Sequence, residues 1–96
     1  MTKQKEKILQ EYKNEYTLTS YYHKILYLNK TEFTLSKEQN EYAFNNYLKH
    51  SYALNLVSRL LSASDHKNLL PAIRESAVND QQNLYNSFLL RVKKEV

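Results

Sequence analysis

Residues 42–64 read YAFNNYLKHSYALNLVSRLLSAS, and in these 23 positions there is no Asp or Glu. The only ionisable cations are Lys49, His50 and Arg59, set among Asn, Tyr and Leu. Just upstream, Ser36 and Gln39 stand three apart, the spacing of a capping box in which each side chain satisfies an orphan backbone N–H at a helix start. From there apolar residues recur at Phe44, Tyr47, Leu48, Leu54, Val57, Leu60 and Leu61. Tyr52, Ala53 and Leu56 widen the stripe around much of the circumference. The pattern predicts a long helix over about 36–63, covered on several sides by other helices, with enclosure as the reason acids are missing. At ~1.5 Å per residue it would run to about 42 Å. A compact domain of this length has a radius of gyration near ~12–13 Å. Such a helix must bend near His50 and Ser51 or project.

The rest of the composition agrees with a helical reading. The 96-residue chain has no glycine. Glycine serves tight hairpin turns and phosphate-cradling loops, so its absence removes the P-loop and dinucleotide fingerprints and argues against a sheet-rich fold. Asn, present ten times, is the expected substitute where positive φ is needed. Cysteine is absent too, which excludes disulfides, thiolate metal sites and a cysteine nucleophile. No apolar run approaches the ~20 residues of a membrane span, and the basic start MTKQKEKILQEYK has no signal-peptide core behind it. The expectation is a single cytoplasmic domain over 1–96, an all-α bundle of four to five helices around the 36–63 segment.

Around that segment, a first helix is expected from about Thr2 to Glu15, where Ile8, Leu9, Tyr12 and Tyr16 share a face. Thr17, Thr19 and Ser20 interrupt the pattern and offer caps for a second helix to about Asn29. Over 25–35 the reading stays open, because ILYLNKTEFTL also fits a short β-hairpin turning at Asn29 and Lys30. Ser64 and Asp65 can cap a helix carrying Leu69, Leu70, Ile73, Ala77 and Val78, with Pro71 either opening or kinking it. Asn79 and Asp80 then start a last helix, with Leu84, Tyr85, Phe88, Leu89 and Val92 on one face. Short loops imply mostly antiparallel neighbours.

Chemistry-bearing groupings are sparse. His23, His50 and His66 lack metal-ligand spacing, no serine sits in a nucleophile elbow, and Glu6, Glu11 and Glu15 are too scattered for a paired-carboxylate site. No enzyme activity, metal, cofactor or small-molecule substrate is expected. Two features point instead to binding. Nine tyrosines outnumber three phenylalanines, and Tyr12, Tyr16, Tyr21 and Tyr22 are the candidate partner-binding group, since tyrosine suits core margins and interfaces alike. The net charge of +4 is concentrated at the ends: Lys3, Lys5 and Lys7, then Arg91, Lys93 and Lys94. If the first and last helices run in opposite directions side by side, these clusters merge into one basic patch. The expectation is a non-enzymatic helical binding module, an adaptor, inhibitor or accessory subunit that docks a protein partner or a second copy through a helix face. The alternative is a nucleic-acid-associated protein using the basic ends.

Overall fold

The computed structural model describes residues 2–94, with side chains through Val92. Four helices and no strand occupy this region: α1 (Lys3–Leu28), α2 (Lys37–Ser58), the short α3 (Ala63–Asn68) and α4 (Leu70–Lys94). The all-α class and bundle architecture are as the composition implied.

The arrangement of layers differs from expectation. α1 packs against both α2 and α4, whereas α2 and α4 share no comparable contact. The central helix is therefore α1, not the 36–63 segment, and α2 lies at an edge. Its tail is also shorter than expected. Backbone N–H groups of Arg59, Leu60 and Leu61 turn back to Leu56, Val57 and Ser58 in i→i+3 bonds of 3.0–3.3 Å, which tighten and close the helix. Ser62, not Ser64, then caps α3, with Asp65 completing its capping box.

α1 is one helix because two neighbours bury two of its sides, and that packing overrides the weak helix preference of the Thr17–Ser20 interruption. Within it the Thr17 hydroxyl donates to the Lys13 carbonyl at 2.8 Å, so it is satisfied inside the helix rather than as a cap. α4 likewise runs unbroken through Asn79 and Asp80, which are both exposed; Asp80 pairs with Lys13 of α1 at 3.1 Å. Pro71 sits in the first turn of α4, where its missing N–H costs nothing, and so it opens the helix.

The 25–35 segment is not a hairpin. Residues through Leu28 continue α1, and the link to α2 holds a single bridge between Asn29 and Phe33. The Leu28 carbonyl accepts from the backbone of Thr31 and Glu32, at 3.1 and 3.0 Å, and from the Thr31 hydroxyl. Asn29 then holds the entry to α2 by accepting from the Leu35 N–H at 2.9 Å. The one positive-φ residue among those described is Lys30, at φ 75, rather than any of the asparagines. At the start of α2 the Ser36–Gln39 capping box is formed in both directions, as its spacing predicts.

Contacts fix the helix directions. Lys5 at the start of α1 meets Asp65 beside the start of α4, while Lys24 near the end of α1 meets Gln82 far along α4. α1 and α4 are therefore parallel, with α3 part of the crossover, and α2 is antiparallel to both. The result is a slab of 48 × 21 × 20 Å with a radius of gyration of 15.1 Å, longer than the compact expectation of ~12–13 Å. Its core is two clusters strung along α1. One gathers Leu9, Tyr12, Leu61 and Leu70. The other gathers Tyr21, Ile25, Leu35, Ala43 and Tyr85.

Candidate functional site

The four candidate tyrosines are distributed between these clusters instead of forming one exposed patch. Tyr12 and Tyr21 are buried, and Tyr16 and Tyr22 are half-buried. Tyr12 stacks on Tyr16 with centroids 5.9 Å apart, and its hydroxyl accepts from Arg74 at 3.3 Å. Tyr21 meets Tyr22 edge-on at 4.9 Å. Tyr12 and Tyr16, one turn apart, share a face as their spacing signals, but that face packs into the bundle.

Tyr21 and Tyr22 do line an open groove of about 620 Å³ where the end of α1 separates the start of α2 from the end of α4. Tyr42, Phe88, Glu38 and Arg91 complete its walls. Burial, and then the neighbouring Tyr42 hydroxyl, push the Tyr22 phenol up to about 12. Burial also raises Tyr21, an effect that the guanidinium of Arg91 opposes. Both phenols are neutral at physiological pH, so the groove offers hydroxyls and apolar rings, with the charges of Glu38 and Arg91 in its wall.

The two basic clusters do not merge. Because α1 and α4 are parallel, Lys3, Lys5 and Lys7 stand at one end of the slab and Arg91 near the other. Lys5 is moreover engaged with Asp65 at 3.0 Å. The side chains of Lys93 and Lys94 lie outside the described residues. The histidines are separate: His50 meets Glu15 at 2.6 Å under the ring of Tyr22, His66 donates Nε2–H to the Ser58 carbonyl at 2.8 Å, and His23 lies against Tyr27 and Tyr47. Among the described residues no group of three or more His, Cys, Asp or Glu converges on a point, and no helix is long and apolar enough to cross a membrane.

What remains is a surface that the sequence pattern did not separate from the core. The apolar residues of α2 divide into two sets. Ala43, Leu54 and Val57 face inward, Ala43 with the cluster of Tyr21 and Ile25 and the other two with the cluster of Leu9 and Leu70. Phe44, Leu48, Tyr52 and Leu56 face outward, exposed at 49, 49, 67 and 44%, and Leu60 follows in the closing turn at 65%. Their spacing of four places them on one i±4 ridge, each step advancing roughly 40° around the helix. The signal was present in the sequence as apolar residues on too many sides of one helix.

The chain matches no protein family, no curated protein and no solved structure.

Proposed function

We propose that the protein is a non-enzymatic helical binding module that docks another macromolecule through the outer face of α2. The observation that carries this reading is the ridge of Phe44, Leu48, Tyr52, Leu56 and Leu60, exposed on the side of α2 away from α1. Isolated exposed apolar residues are ordinary on protein surfaces. A contiguous row is not, because every member adds to one patch that water must hydrate. With side chains of this size half to two-thirds exposed, the ridge presents on the order of 500 Å² of apolar surface. That is the scale of the largest patches on small proteins, which are often interfaces. The other edge helix is the internal comparison. On α4 the exposed apolar residues Val78, Leu84 and Leu90 are six apart and point in different directions.

The test compares the native chain with Leu48→Glu/Leu56→Glu and with Leu90→Glu. Each is used for affinity capture from a lysate of the source cells, with and without nuclease, and each is measured by size exclusion with light scattering. The reading expects every associated species, whether partner or second copy, to be lost from the ridge variant and kept by Leu90→Glu. Identical captured sets from all three, with an unchanged monomer mass, would remove it. Nuclease-sensitive association unaffected by the ridge variant would favour the nucleic-acid alternative.

A further inference from the structure

The inference here rests on the docking role of α2 and identifies the chemistry of what docks there. The ridge is edged by a one-sided set of charges. Lys49 and Arg59 are both exposed beside it, each preceded four residues earlier by an exposed amide, Asn45 and Asn55. His50 is turned inward onto Glu15. At the first turns of α2, exposed Lys37, Glu38 and Glu41 leave a net charge of −1. Beyond Glu41 no acid follows until Asp65, and that carboxylate is buried against Lys5 and Ser62. From Tyr42 onward, the outer face is therefore apolar along its middle and carries a charge of +2 at its rim.

We infer that the occupant is an amphipathic helix of another protein, apolar along one stripe and edged with Asp or Glu. An i±4 ridge leaves grooves on either side into which the ridge of a second helix fits, and apolar stripes docked on helical surfaces are a recurrent recognition mode. Rim charges choose among such helices: opposite potentials speed encounter, and like charges reject wrong partners. A second copy of this chain fits poorly on that criterion. It would bring the same two cations to the 42–64 stretch, and the acids of this helix, Glu38 and Glu41, lie in its first turns, ahead of the ridge. The ridge of roughly 500 Å² also falls below the ~800 Å² per side of a standard stable interface. This suits one helix laid across α2 better than the broad face of an obligate dimer.

Photo-cross-linking tests this directly, helped by the absence of any native cysteine. Benzophenone is attached at Tyr52→Cys on the ridge, at Asn45→Cys on its rim, which leaves the ridge intact, and at Leu90→Cys on α4 as the control. Circular dichroism confirms that each labelled chain is folded before irradiation in a lysate of the source cells, and the cross-linked peptides are sequenced. The expected result is that both α2 probes, and not the α4 probe, mark a protein segment with apolar residues at three- and four-residue spacing flanked by acids. The yield should fall about tenfold or more when Lys49→Glu/Arg59→Glu is added, since two favourable charge contacts become repulsive. Adducts to a second copy, to lipid, to nucleic acid or to a protein segment without acids at its edges would overturn the inference and leave docking by α2 intact. No adduct above the α4 control would remove both.

Discussion

Leu70→Ala tests the packing of the slab at its most deeply buried point. Leu70 opens α4 with no exposed surface, against Leu9, Tyr12 and Leu61. It thus ties α4 to α1 and to the turn leaving α2. Removing roughly three carbons from that site forfeits about 2.4 kcal/mol at ~0.8 kcal/mol per buried carbon. The void adds a further cost of ~24 cal/mol per Å³ wherever the walls do not collapse. The half-buried neighbours Ile8, Leu54 and Val57 lie near the surface of a body only 20–21 Å thick, so partial collapse is available and the cavity contribution should be small. The expected loss is about 3 kcal/mol, a large share of the ~5–10 kcal/mol available to a domain of this size. Urea unfolding followed by circular dichroism at 222 nm measures it, with Leu90→Ala, at a position 67% exposed, as a control that should change by less than ~0.5 kcal/mol. The urea dependence should stay the same in both, so that the midpoint shift reports stability alone. A loss below ~1 kcal/mol for Leu70→Ala, or an equal loss for Leu90→Ala, would refute the placement of α4 on α1.

Lys30→Gly should stabilise the fold by about 0.5–1 kcal/mol, because a side-chain-bearing residue at positive φ is strained and glycine is not; a thermal midpoint lower than that of Lys30→Ala would contradict the turn geometry. The Asp65 carboxyl is held below its ordinary range, first by the hydrogen bond from Lys5 and then by the Ser62 N–H. Its stabilising contribution should be complete above pH ~5 and fade as pH falls through ~4 and below. Urea midpoints at pH 7, 5 and 3 should converge between wild type and Asp65→Asn at the acid end; a constant gap would speak against the Lys5 contact. Tyr22 stabilises in the opposite sense: its folded phenol titrates near 12 instead of 10.0. The fold therefore favours the neutral form and weakens as pH rises from ~10 towards ~12. Tyrosinate absorbance of wild type minus Tyr22→Phe should show one late-titrating phenol; titration with the bulk near 10 would mean that the ring is not packed as described.

Much of the secondary structure was readable residue by residue. The Ser36–Gln39 box, the lack of glycine and the Tyr85–Val92 part of the last face each encode a local preference, and each is satisfied, while Leu84 stays exposed. Two expected breaks, at Thr17–Ser20 and at Asn79–Asp80, did not occur, because polar residues in a helix end it only when nothing packs against the next turn. Ile25 lies beyond the first break and Tyr85 beyond the second, and both are buried in one cluster. Which helix is central was not legible from composition alone. A helix apolar on several sides satisfies its pattern equally well by enclosure or by keeping one side for a partner. The hairpin reading failed for a similar reason: Ile25 and Leu28 are β-compatible, but burial of Ile25 at 3% exposed beside Tyr85 and Ala43 secures the helical form.

The topology itself gives the outer ridge its meaning. With α1 in the middle, α2 and α4 occupy equivalent positions, each with one side buried and one side free. If exposed apolar surface were merely what a thin bundle cannot cover, both edge helices should show it alike. They do not. The outer side of α4 bears Glu75 and spaces its apolar residues singly, whereas α2 beyond Glu41 carries no acid and sets four apolar residues in one row. Their lengths, 22 and 25 residues, differ too little to produce this asymmetry. On the reading proposed above, a requirement acting on α2 alone does, and the lack of acid over 42–64 on the face that gathers apolar side chains fits an acidic partner.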